Sequence, residues 1–143
     1  MKNNELLEEI YKNAEMGSNT LNRLMKNLKE KENRIKKVLE AELKEYEDYA
    51  KKAKEIIKIE GLTLKQTGLI NKLSANMGID MEVIKDNSDA AIAHMLIEGL
   101  TMGVVDMTTK IKNDDSSSKE VKVLAKNFLE FQQREIEKLK KYL

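Results

Sequence analysis

Residues 5–28, ELLEEIYKNAEMGSNTLNRLMKNL, carry the pattern that decides the fold of this chain. Apolar or small residues recur there at alternating spacings of three and four, which is the spacing of one face of an α-helix. They are Leu7, Ile10, Ala14, Gly17, Leu21, Leu24 and Leu28. The pattern predicts a first helix over about 3–28 whose apolar seam faces a core.

A second seam of the same period predicts a second helix over about 32–60. Gly61 stands where a left-handed residue would end that helix. The segment 61–87 again has apolar positions, interrupted by glycine, and is expected to form a crossover that contains a short helix. The seam residues of the second helix are Leu39, Leu43, Tyr46, Ala50, Ala53 and Ile57, and those of the crossover are Leu64, Ile70, Leu73 and Met77.

Two further helices complete the chain. The third is predicted over about 88–112, with residues 86–88 as candidate N-caps, and the fourth over about 118–142. Short polar loops join the first helix to the second and the third to the fourth, which favours antiparallel hairpins. The sequence therefore predicts an all-α four-helix bundle in one domain, 1–143, made of a hairpin at 3–60, a crossover at 61–87 and a hairpin at 88–142.

The composition limits what such a bundle can do. Its 26 basic and 25 acidic residues give a net charge of +1, which offers no attraction to nucleic acid or to an anionic membrane. The absence of cysteine excludes disulfides and thiol catalysis. The N-terminus has no apolar signal region, and no run approaches the about 20 apolar residues of a membrane span, so we expect a cytoplasmic protein.

A shift of 86 residues lays the second hairpin on the first without a gap, which indicates an internal repeat. The residues that coincide include Met16-Gly17 with Met102-Gly103, Lys26-Asn27 with Lys112-Asn113, and Leu43 with Leu129. The seam of the second helix falls on Ala125, Leu129, Gln132, Ile136, Leu139 and Leu143.

Two hairpins related by a repeat and joined by a crossover resemble the ferritin-like fold, and in particular the small bacterial ferritin-like proteins. The resemblance covers nearly the whole chain and rests on short helical motifs. These are Leu6-Leu7-Glu8-Glu9-Ile10-Tyr11 with Met16-Gly17, Glu45-Tyr46-Glu47, Leu96-Ile97-Glu98-Gly99 with Met102-Gly103, and Glu130-Phe131 before Lys138-Leu139. The resemblance implies a bundle whose interior, in the di-iron members, holds a metal pair.

The ligands of such a metal pair are not evident in the sequence. Di-iron members place one Glu on each of two helices and a Glu-x-x-His on each of the other two. No Glu-x-x-His occurs here, and the third helix offers only Asp106, on the flank of its seam. The acids of the first helix lie off the seam and are expected to face solvent; they are Glu5, Glu8, Glu9 and Glu15. We therefore expect no iron and no other cofactor.

Glu42 and Glu135 are acids that stand in otherwise apolar rows flanking the seams of the second and fourth helices. A carboxylate there must be hydrogen-bonded, protonated, metal-bound or bent to the solvent rim, and a flank position favours the rim. With Asp106 and Glu47, and with Glu40 at the edge, these acids are candidate oxygen ligands for iron or manganese. A divergent di-metal carboxylate protein with an oxidase or iron-handling role is therefore an alternative hypothesis.

The third helix is apolar nearly all round, with Met95, Met102 and Val105 on the side away from its seam. A helix that is apolar on every side is buried on every side, so we expect the crossover, a second copy of the chain, or both to cover this face. His94 and Glu98, one helical turn apart, are interpreted as a surface or interface pair.

These features favour a binding protein over an enzyme. The first hypothesis is a non-catalytic or degenerate ferritin-like bundle that acts by self-association, as a homodimer through the outer face of the third helix, or by binding a partner. A further alternative is a small-molecule binder with a Met-lined pocket between the third helix and the crossover.

Overall fold

The computed structural model describes residues 4–62 and 86–143. Within these two ranges the chain forms four α-helices and no strand, which confirms the all-α prediction. The helices are α1 Glu5–Asn27, α2 Lys36–Ile59, α3 Asp89–Asn113 and α4 Lys119–Lys140. The short helix expected in the crossover falls on 63–85, outside the described residues.

The helix ends follow from local chemistry. Ser88 and Ser118 are extended N-cap residues whose side chains accept hydrogen bonds from the backbone N–H groups of Ala91 (3.2 Å) and Val121 (3.3 Å), so each satisfies a donor that the first helical turn leaves unpaired. Gly61 follows α2 with a φ of +65°, the left-handed conformation predicted for it.

The helices pack as two hairpins. α1 lies along α2, and α3 lies along α4; α1 also contacts both α3 and α4, and α2 contacts α4. Among the described residues α2 and α3 do not touch, so they are not joined as a simple hairpin. Asn33, in the loop between α1 and α2, donates its side-chain amide to Asn87 O and to Asp89 Oδ1, each at 2.9 Å, and thereby ties this loop to the start of α3.

The core is built from the predicted seams, but the buried arc of α1 is wider than one seam. Glu9, expected to face solvent, is only 5% exposed, so that expectation is wrong. Because α1 touches all three other described helices, the flank that carries Glu9 is covered as well. Its carboxylate pairs with Lys12 Nζ at 3.2 Å and accepts from the Asn13 side chain at 3.4 Å.

Two glycines allow close contact between the helices of each hairpin. A Cβ built on Gly17 of α1 would lie 2.5 Å from Cζ of Tyr46 on α2. A Cβ on Gly103 of α3 would lie 2.5 Å from Nε2 of Gln132 on α4. In both hairpins a side chain of the second helix therefore occupies the space that a larger residue on the first helix would need.

The outer face of α3 carries exposed apolar side chains. Met102 is 68% exposed and Val105 58% exposed, whereas Met95 is partly buried against the core. α3 is also long and apolar enough to span a membrane by length and composition, so the expectation that no run approaches a membrane span is wrong for this helix. Length and composition alone are weak evidence for a span, because buried helices of soluble proteins satisfy the same criterion.

Candidate functional site

Two buried carboxylates face each other across the contact between the hairpins. Glu42 on α2 and Glu135 on α4 are each 1% exposed. The expectation that they bend to the solvent rim is wrong, because both side chains are buried where α2 and α4 touch. The contacts of Tyr46 with Phe131 and of Glu45 with Arg134 set these helices in an antiparallel register that places Glu42 opposite Glu135. The structure thus places two of the candidate metal ligands from the sequence at the same helix contact.

Glu42 and Glu135 belong to a larger polar layer, which also contains Tyr46, Gln132 and Asn13. Tyr46, one turn after Glu42, is buried, and its hydroxyl is hydrogen-bonded to the side chain of Gln132 and lies within electrostatic range of both carboxylates. Gln132, one turn before Glu135, also donates Nε2 to Oδ1 of Asn13 at 3.4 Å. The layer therefore runs from α1 through α4 to α2.

Several oxygens in this layer have no hydrogen-bond partner. They are Oε2 of Glu42, Oε2 of Glu135 and Oε1 of Gln132. Leaving a buried polar atom unpaired costs about 1–3 kcal/mol, and more when the atom is charged. A ligand, a water or a proton that bonds to these three oxygens would therefore stabilise the folded protein by removing that cost.

The charges around the pair do not balance. Lys138 Nζ lies 3.5 Å from Oε2 of Glu135 and forms an ion pair with it. Arg134 is engaged at the rim, where its Nη2 donates to Oε2 of Glu45 at 3.1 Å. Glu42 has no ion-pair partner in the described parts of the chain.

The pKa values follow from burial. Burial raises the pKa of Glu42 from 4.5 to about 8; the negative charge of Glu135 adds to this rise, and Lys138 opposes it. Burial also raises the pKa of Glu135, with Lys138 again opposing the rise. The pKa of Tyr46 is raised well above its ordinary value, first by burial and then by the charge of Glu42. At neutral pH the layer therefore favours a neutral Glu42 and a neutral Tyr46.

The other candidate ligands do not join this layer. Glu40 and Glu47 on α2 and Asp106 on α3 are exposed. Within 4–62 and 86–143, no three His, Cys, Asp or Glu side chains are placed to hold a metal ion together. Glu42 and Glu135 are thus the two candidate ligands that are buried at the contact between α2 and α4.

The outer face of α3 is the second candidate site. His94 and Glu98 form an exposed pair there, with Nδ1 of His94 3.2 Å from Oε1 of Glu98. Met102 and Val105 continue the same exposed face toward the C-terminal end of the helix. The predicted Met-lined pocket needs the crossover as its other wall, and that segment lies outside the described residues.

The sequence did not identify Tyr46, Gln132 and Asn13 as site residues. Gln132 carried a usable signal, because an amide stands there at a position of the fourth seam that is otherwise apolar. Tyr46 also lies on a seam, where a phenol needs a partner for its hydroxyl. Asn13 carries no such signal, because it lies outside the apolar seam of the first helix, where polar residues are common.

In comparisons with known protein families, with curated proteins and with solved structures, nothing matches this chain.

Proposed function

We propose that this protein is a helical-bundle binding module that forms a homodimer through the outer face of α3. The observation that carries the proposal is the exposure of Met102 and Val105 on a helix whose opposite face is fully packed. Only 33% of the most apolar stretch of α3 is buried within the chain, which leaves a large apolar surface that no described residue covers.

A second copy of the chain is the occupant that best suits this face. The face presents an imidazole and a carboxylate, His94 and Glu98, beside apolar side chains. A twofold contact sets one patch against itself, so a patch that has both a hydrogen-bonding and an apolar part can be complementary to its own copy. A net charge of +1 gives little repulsion between copies.

We further propose that the hairpins are related by the 86-residue repeat, as in ferritin-like bundles. Support comes from the buried positions, because five of the six buried residues of α3 lie 86 residues after buried residues of α1. These pairs are Leu6 and Ile92, Leu7 and Ala93, Ile10 and Leu96, Ala14 and Leu100, and Leu21 and Met107. The glycine contacts support the same repeat. Gly17 contacts Tyr46 in the first hairpin, and the residues 86 positions later, Gly103 and Gln132, contact each other in the second.

Sedimentation equilibrium on the full chain tests the proposed dimer. We expect twice the chain mass for the parent protein and the single-chain mass for Met102→Glu at the same concentration. An unpaired charge in a buried contact costs several kcal/mol, which corresponds to at least about a 100-fold rise in Kd. Val123→Glu is the matched control, because Val123 lies on α4 and is 50% exposed.

The control should remain dimeric, and circular dichroism should show the same helix content in all three proteins. A parent protein that stays monomeric at high concentration would contradict the proposal. So would a Met102→Glu variant that dimerises as well as the Val123→Glu variant.

A further inference from the structure

The charges of the polar layer do not balance when both of its carboxylates are ionised. Two carboxylates, Glu42 and Glu135, are buried together, and one cation, Lys138, pairs with Glu135 alone. If both carboxylates were ionised, one negative charge would remain in the core without a counter-ion among the described residues. Such a charge costs several kcal/mol even after local relaxation, so the protein must neutralise it.

The missing positive charge would have to come from a helix that packs around the pair. On α1, Lys12 is engaged by Glu9, and on α4, Arg134 is engaged by Glu45 from α2. The buried residues of α3 are apolar or glycine. Tyr46, from α2, is neutral and brings its hydroxyl close to the pair without adding charge. No second cation therefore reaches Glu42 from the described helices.

We propose that Glu42 and Glu135 form a proton-binding pair that links the two hairpins. The Glu42 carboxyl holds the proton and donates a hydrogen bond to the Glu135 carboxylate. This arrangement gives the Glu42 Oε2 and Glu135 Oε2 atoms the partners they otherwise lack. It also leaves one negative charge, which Lys138 balances. The bound ligand is a single proton, and its acceptor and donor come from different hairpins.

The pair makes the contact between α2 and α4 sensitive to pH. Since the pKa of Glu42 is raised to about 8, the proton is bound at neutral pH and released in mildly alkaline solution. After release, two adjacent carboxylates repel each other across the contact between the hairpins. The α2–α4 contact is therefore expected to loosen in alkaline solution, while each hairpin keeps its own packing.

Carbon-13 NMR of the side-chain carboxyls of glutamate tests the proposal on the full, chelator-treated chain. Over a titration from about pH 4 to about pH 10, we expect one glutamate to titrate near pH 8 and the ordinary ones near their usual pKa of 4.5. This signal should vanish in Glu42→Gln and persist in Glu47→Gln, a matched change at an exposed position of the same helix. In Glu135→Gln it should move to lower pH, because the neighbouring negative charge is gone.

Infrared spectroscopy of the parent protein gives a second readout that needs no variant to fold. At neutral pH it should show the carbonyl stretch of a protonated carboxylic acid, and this band should disappear in alkaline solution. The proposal is overturned if every glutamate titrates in the ordinary acidic range. It is also overturned if added Mg²⁺ or Mn²⁺ removes the high titration at equimolar concentration, since the pair would then be a cation site.

Discussion

Replacing Gly17 by alanine tests how tightly the first hairpin is packed. The new methyl group would lie 2.5 Å from Cζ and 2.6 Å from Cδ1 of the Tyr46 ring. That ring cannot easily move aside, because it packs edge-on against Phe131 and Phe128 at centroid distances of 5.0 and 6.1 Å. Both phenylalanines are fully buried, so a shift of Tyr46 would displace the centre of the core.

The expected magnitude comes from two opposing effects. Adding a methyl group to a tightly packed core costs about 1–3 kcal/mol, and this contact belongs at the upper end because the neighbour is an aromatic ring. Replacing glycine by alanine inside a helix returns about 1 kcal/mol through helix propensity. We therefore expect Gly17→Ala to lower the free energy of unfolding by about 2 kcal/mol.

Gly99→Ala is the matched control. A Cβ on Gly99 would meet nothing within 4 Å, so the same substitution on α3 should stabilise the protein by about 0.5–1 kcal/mol. Urea unfolding at two protein concentrations gives both values and shows any contribution from association. In a Tyr46→Leu background the cost of Gly17→Ala should shrink, because the contacting ring is gone. Equal stability of Gly17→Ala and Gly99→Ala would refute the close-packing argument.

Two further predictions concern charge and capping. In urea unfolding, Glu42→Gln should match the parent near pH 4 and exceed its stability by about 4 kcal/mol at pH 8. The stabilising contribution of the Glu42 proton is lost between its ordinary pKa of 4.5 and its raised pKa of about 8 in the folded protein. A Glu47→Gln variant with the same gain would contradict this. Ser118→Ala should lower the free energy of unfolding by about 1 kcal/mol, measured by thermal unfolding, because it removes the acceptor for the Val121 N–H. Ser118→Asp should retain the cap. Equal losses of stability in both variants would show that the cap contributes little.

The sequence predicted the helices well because their signal is local. Apolar spacing located all four described helices, and the predicted ends differ from the observed ones by a few residues. The largest difference is at the start of α2, which begins at Lys36 rather than near 32. Leu28 and Ile35 are both fully buried, so the loop between α1 and α2 is packed against the core instead of continuing the helix.

The sequence predicted the site less well because burial depends on how many neighbours surround a helix. A helical wheel places Glu9 on a flank, but it does not show that three other helices cover α1. It likewise places Glu42 and Glu135 beside their seams, without showing that those two flanks face each other. The convergence of Tyr46, Gln132 and Asn13 requires three helices to be positioned together, which no single-helix pattern contains.

The contact between α2 and α4 is aromatic at one end and acidic at the other, where the proton-binding pair lies. Tyr49 packs on Phe128 at a centroid distance of 5.1 Å, and Glu45 pairs with Arg134 at 3.1 Å, so the two helices run antiparallel. This register places Glu42 opposite Glu135 on the other side of Tyr46. Phe128 follows Glu42 by 86 residues, and Glu135 follows Tyr49 by the same number, so one end of the contact is aromatic where the other is acidic. Aromatic packing does not depend on pH, whereas the acidic end does. Ionisation of Glu42 should therefore open the contact from the acidic end, and the Tyr49–Phe128 end should act as the hinge.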